Sequence, residues 1–157
     1  MHLEAHEPRT LTPDVVRARR ARDALIEWRR RQRDDGGLPR RRDFDPLTVP
    51  HLLGHLMIVD VLRGPPLRFR VRLYGTEIAA FTEREWTGCL VDGDHLGVLG
   101  AHVAAELKAT LTSCTPTAGA NTIRRPRVRP IEYEAVRLPL SNGDGSIDKI
   151  LACVEPV

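Results

Sequence analysis

No stretch of this sequence approaches the ~20 consecutive apolar residues that cross a bilayer, so membrane insertion is not expected. The opening "MHLEAHEPRTLTPD" carries acids and a proline but no apolar centre, which argues against a secretion signal and for the cytoplasm. Cysteine is scarce: Cys89, Cys114 and Cys153 form no C-x-x-C pair, which argues against a disulfide framework or a structural zinc site. Cys153, within "ILACV", reads as a small buried hydrophobe. Aromatics make up only 4%, leaving few platforms on which single-stranded bases could stack. The serines are Ser113, Ser141 and Ser146, none in a nucleophile elbow, and the sole glutamine is Gln32. No GxGxxG or phosphate-cradling glycine loop is present, nor any internal repeat or low-complexity segment.

What is present suits one domain. The 157 residues are 41% apolar and 29% charged, enough for a single core. The net charge of +3 comes mostly from arginine, clustered over Arg17 to Arg42 and Arg124 to Arg129. Those clusters carry one alternative reading, a nucleic-acid-binding regulatory module using Arg29 to Arg33, Arg40 to Arg42 and Arg124 to Arg129. It would bind with steeply salt-dependent affinity.

Along the chain, residues 1–11 lack periodicity and read as a flexible tail. Residues 12–36 read as an N-terminal amphipathic helix. Thr12 suits the N-cap, Pro13 the first helical position and Asp14 the positive end of the helix dipole. Gly36-Gly37 can supply the stop. Val15, Ala18, Ala21, Leu25 and Trp28 form one apolar stripe, which makes this helix the expected dimer or capping element. Residues 38–157 form the remaining domain. Asp45-Pro46 starts a short helix expected to reach Leu53, ended by Gly54. "HLMIVDVL" reads as a strand covered on both faces, and "RGPP" turns the chain into "LRFRVRLYGTE". There Leu67, Phe69, Val71 and Leu73 take one face while Arg68, Arg70, Arg72 and Tyr74 take the other. "TEIAAFT" reads as a short helix with Thr76 as N-cap. Leu96, Leu99, Val103, Leu107 and Leu111 mark a longer one. A short edge strand falls within residues 112–129, broken by Pro116 and Pro126. "IEYEAVRLPLS" and "IDKILACVE" are the last strands, joined by "NGDG". The expected fold is α+β, with about five antiparallel strands, helices on one face and the amphipathic helix ahead of them.

The order of elements resembles a PAS sensory domain, and the residues resemble a bacterial subfamily of small stand-alone PAS proteins. The likeness is carried by Asp45-Pro46-Leu47, Leu52-Leu53, Val59-Asp60, Gly75-Thr76 and Pro139-Leu140-Ser141, and spans about residues 14–155. The segment 124–130, rich in arginine and proline, departs from it. The resemblance implies a sensory or regulatory module in bacterial signal transduction. It would act through ligand sensing, homodimerisation or contact with a signalling protein partner. No kinase, cyclase or DNA-binding output is read after the sheet, so protein contacts are the expected route.

A PAS fold can hold a small molecule between its sheet and helices. Met57, Phe69, Phe81, Trp86, His102, Val103 and Leu107 are the candidate lining, with plain core packing as their alternative role. No cofactor is required by the sequence. Haem needs an axial ligand, for which only His102 is a candidate, since His95 reads as a helix-entry residue. Flavin adduct chemistry would fall to Cys89, which lacks the Asn-Cys-Arg context of the light-sensing branch. Asp92 to Asp94 is a fragment of a calcium loop without its remaining ligands. Asp60 could be a pocket acid or a turn cap. Nothing assembles a nucleophile, base and oxyanion site, so no enzyme is expected. The strand arginines either keep a sheet face wet or lay their stems on apolar surface and pair with Glu27, Asp23 or Glu132.

Overall fold

The computed structural model describes residues 4–157. One antiparallel sheet of seven strands organises the chain. The strands are β1 (Ala5–His6), β2 (Arg9–Leu11), β3 (Leu56–Leu62), β4 (Arg68–Tyr74), β5 (Thr117–Arg124), β6 (Ile131–Ser141) and β7 (Ile147–Pro156). Across the sheet the order is β1, β5, β6, β7, β3, β4, with β2 sharing β1's edge of β5. Helices α2 (Thr76–Thr82) and α3 (Gly93–Ser113) cover one face, and α1 (Arg19–Arg30) covers the other. Apart from the strand number, this is the α+β architecture expected.

The strand number differs for a physical reason. Residues 5–11, expected to be loose, pair with β5 from Ala5 opposite Arg124 to Leu11 opposite Ala118. A short polar segment has no periodicity to reveal a strand, yet an open row of β5 backbone groups is a template for it. The strand expected at an edge is therefore an inner one.

Helix α1 begins later than Thr12. Thr12 starts only a 3-10 turn, Pro13–Val15, and the α-helix opens at Arg19 with no side-chain cap of its own. Two strand carboxylates satisfy its free N–H groups instead. Glu134 Oε1 accepts from the backbone N–H of Arg17 at 2.8 Å and of Ala18 at 2.7 Å. Glu155 Oε1 accepts from that of Arg20 at 3.0 Å, while Glu155 Oε2 holds the Arg20 guanidinium at 2.7 Å. Carboxylates at the positive end of a helix are doubly favoured, by hydrogen bonding and by the dipole. The alanines Ala18, Ala21 and Ala24 bring α1 close to the sheet. Leu25 and Trp28 then pack on Val136, Leu138, Leu140, Leu151 and Cys153, and Trp28 Nε1 donates to the Pro139 carbonyl at 2.9 Å. Of the two roles expected for the stripe, this turns it away from a dimer surface and onto the chain's own sheet. Ala18, Ala21, Leu25 and Trp28 are buried within their own chain, and Val15 is 58% exposed outside the helix.

The 46–53 helix is replaced by 3-10 turns at Arg41–Phe44, Pro46–Thr48 and Leu53–His55, which anchor Phe44, Val49 and Leu52 in the same layer. Strand β4 hides a bulge: Ile58 pairs with Leu73 but Val59 with Val71, leaving Arg72 as the extra residue. Parity flips there. Phe69, Val71 and Tyr74 face α3, whereas Leu73 turns to the α1 side. The arginine partners differ too. Arg72 meets Asp60 at 2.8 Å, with Lys149 on the same carboxylate at 2.7 Å, while Arg68 and Arg70 are exposed. Asp60 is thus neither a pocket acid nor a cap. Burial would raise its pKa, but Arg72 and Lys149 outweigh that and hold it below the usual carboxylate value.

Candidate functional site

Strand alternation gives β6 two characters. Val136, Leu138 and Leu140 point to α1, and Tyr133, Ala135 and Arg137 point to α3. Under α3 this leaves a cavity of about 50 Å³. Its apolar wall includes Met57, Ile78, Trp86, Leu99, Val103 and Val154. Its polar wall is made by Glu106 of α3, Asn121 of β5, and Tyr133 and Arg137 of β6.

Of the residues expected to line a pocket, Met57, Trp86 and Val103 do so. Phe69 and Leu107 are buried in the same layer but pack as core, away from the cavity. Phe81 is also off the lining and stacks on Tyr133 with ring centres 5.6 Å apart. His102 is outside it as well, facing His6 at 6.5 Å. Cys89 is half-buried and absent from the lining, and Cys153 is fully buried, burial pushing its thiol well up.

The polar wall escaped the sequence reading. Arg137 and Glu106 form an ion pair inside the cavity. Burial pulls the Arg137 guanidinium down to about 10, which still leaves it charged at neutral pH. Gly119 makes room for this pair. A Cβ there would stand 3.0 Å from Glu106 Oε2 and 3.1 Å from an Arg137 nitrogen. The signal available was an arginine at the inward parity of an apolar strand, "EAVRLPL", and a glutamate three residues past Val103 on the helix. Beside the pair, Asn121 donates from Nδ2 to Tyr133 Oη at 3.2 Å and faces His6 Nδ1 at 3.5 Å. Its Oδ1 is buried without a partner. Tyr74 Oη and Thr82 Oγ1 lie 3.1 Å apart on the α2 side. Burial raises both Tyr74 and Tyr133 above the ordinary phenol value, so both stay protonated.

The N-terminal strands pair with β5 beside this wall, where His6 faces Asn121. Glu4 pairs with Arg84, just past α2, and with Arg125 at 2.7 Å. Burial alone would raise Glu4, but the two guanidiniums more than offset it and lower its pKa. Both arginines also donate to the Thr82 carbonyl, at the end of α2. His6 Nε2 meets Glu4 at 2.9 Å. Burial holds the imidazole below its ordinary value, against the pull of Glu4 and helped by Arg84 and His102.

The family described as PAS domain matches residues 16–155, nearly the whole chain. The chain belongs to the PAS domain family. Neither the comparison with curated proteins nor that with solved structures found a match. PAS domains are sensory and regulatory modules, and that is the class this chain falls in. Several of the clustered arginines are paired within the chain itself: Arg29 with Asp14, Arg30 and Arg31 with Glu27, Arg33 with Asp35, and Arg124 with Glu7. Asp92 caps α3, accepting from the His95 backbone and ring at 2.7 Å each. Among the described residues no three His, Cys, Asp or Glu converge as a metal site, and no helix is long and apolar enough to cross a membrane.

Proposed function

We propose that this PAS domain is a regulatory module that responds to a small molecule held between the sheet and α3 and passes the response on through protein contacts, without catalysing a reaction. The observation that carries the reading is the contrast between the two faces of the sheet. The α1 face is filled by apolar side chains, as interiors normally are. The α3 face keeps a chamber whose apolar wall confronts a few convergent polar groups, the pattern of a ligand site. Occupancy would reach the surface through Asn121 and His6, because these side chains join the chamber wall to the strands that cover β5. A homodimer through α1 would have to use outward positions such as Ile26, 45% exposed. Cytoplasmic signalling with a protein partner fits this reading.

Native mass spectrometry of freshly purified protein, with an absorption spectrum, tests it. The expected result is a bound small molecule that leaves on denaturation. An empty chain whose melting temperature is unmoved by a library of small neutral metabolites would sink the reading.

A further inference from the structure

We infer that the open part of the sheet's α1-side face, built on Arg68 and Arg70, docks an extended acidic segment of a protein partner. This rests on the proposal that the domain acts through protein contacts, and it makes no use of the chamber.

Strand register assembles the patch. Phe69 and Val71 point to α3, so Arg68, Arg70 and Arg72 point to the opposite face. Arg70 stands opposite Asp60 of β3, and Asp60 opposite Lys149 of β7, which puts all of them on that face. Helix α1 packs over β6 and β7, and the three arginines beyond it are exposed. The Asp60 carboxylate is already occupied, by Arg72 Nε at 2.9 Å and Lys149 Nζ at 2.7 Å. Among the described residues neither Arg68 nor Arg70 meets a carboxylate. Four cations (Arg68, Arg70, Arg72 and Lys149) against one carboxylate leave the patch a net charge of +3. Like charges side by side on a sheet face destabilise it. Solubility alone is met as well by charges of both signs, without that cost.

The edge of β4 is closed to a partner. It bonds the 88–91 segment, with the Val71 N–H on the Cys89 carbonyl and the Val91 N–H on the Phe69 carbonyl, both at 2.9 Å. Docking therefore falls to the face. Arg68 and Arg70 are two residues apart on a strand, so their side chains emerge roughly 6.6–6.8 Å apart. Every second residue of an extended segment repeats at that distance. A strand laid on a sheet face runs within about 30° of the strands beneath. Alternating acids then meet successive guanidiniums, whose planar forks suit carboxylates. Arg72 already grips Asp60 in this way, with Nε at 2.9 Å and Nη2 at 2.8 Å. Leu62, half-buried opposite Arg68, offers apolar contact beside them.

A nucleic acid fits this face less well. None of the Trp, Tyr or Phe residues is exposed, so single-stranded bases have nothing to stack on. A face of a seven-stranded sheet is too broad for a duplex groove, which admits a helix or a two-stranded ribbon.

A fluorescein-labelled peptide alternating Glu and Thr, titrated at low salt and read by anisotropy, is expected to bind. Spectra of 15N-labelled protein should place the shifts at Leu62, Arg68 and Arg70. Arg68→Gln/Arg70→Gln should weaken binding about ten-fold, since each exposed pair contributes a factor of roughly three. Arg127→Gln/Arg129→Gln removes the same charge from an exposed loop and should leave the affinity within about two-fold. A peptide of the same composition with its glutamates in adjacent pairs turns one of each pair away from the face, and should bind about three-fold more weakly. Equal losses in the two double variants would reduce the effect to net charge and overturn the inference. So would equal affinity for the two peptides, or no binding of either. Oligothymidylate or duplex DNA binding more tightly than the peptide, with the same dependence on Arg68 and Arg70, would assign the face to nucleic acid instead. Each of these outcomes leaves the chamber to its own test by mass spectrometry.

Discussion

Replacing Glu134 by alanine takes away the acceptor for the N–H groups of Arg17 and Ala18, whose distances to Oε1 are 2.8 and 2.7 Å. Hydrogen bonds to a charged group contribute about 1.5–3 kcal/mol each. The Arg17 side is exposed and can turn to water, whereas Ala18 is buried, so one bond is the fair count. Adding about 0.3–1 kcal/mol for the lost charge at the helix N-terminus gives roughly 3 kcal/mol. For a chain of this length that lowers the melting temperature by about 6–12 °C. Glu134→Gln keeps an acceptor oxygen and loses only the charge, so about 1 kcal/mol and 2–4 °C are expected. Calorimetry or circular dichroism at neutral pH reads both. An alanine variant melting within about 2 °C of wild type, or no better than the glutamine variant, would refute the claim that β6 caps α1.

The ion pair in the chamber should respond asymmetrically. Glu106→Leu leaves the Arg137 guanidinium buried alone and is expected to cost about 3–5 kcal/mol in urea denaturation. Arg137→Met leaves a carboxylate whose side chain is already 31% exposed, so about 1–2 kcal/mol follows after allowing for solvent. The double variant should recover most of the loss, and equal costs for the two single changes would contradict the burial argument. His6, faced by Glu4, Arg84 and His102, has a folded-state pKa below its unfolded value near 6.5. The unfolded chain therefore binds protons more readily, and the strand's docking, intact above that value, should weaken as pH falls through the folded-state value. Hydrogen exchange at Glu7 and Thr122, which bond each other across β5, should speed up there in the wild type but not in His6→Gln. Matching pH profiles for the two proteins would dismiss this role for His6.

The elements legible in advance were those with strong periodicity or unambiguous punctuation. β3, α3 and the hairpin around "NGDG" fall where their apolar runs and glycines place them. The β4 alternation was real but incomplete, because a bulge at Arg72 depends on pairing with β3 and leaves no mark in a single strand. Three of the lining residues, Met57, Trp86 and Val103, were legible because they lie on the elements that enclose ligand space in a PAS fold. Asn121, Tyr133 and Arg137 were not. A polar residue in a strand looks alike whether it meets water or a buried partner.

By itself, then, the sequence determined which segments would bury apolar surface and in what order they come, because hydrophobic periodicity is local and survives without neighbours. It also carried the PAS likeness, spread over nearly the whole chain. Tertiary structure alone decided that Glu134 and Glu155 cap a helix more than a hundred residues away, and that residues 5–11 complete the sheet. It likewise decided that Asn121 keeps one oxygen free. Each depends on groups distant in sequence meeting at hydrogen-bond range, and that distance is written in the fold.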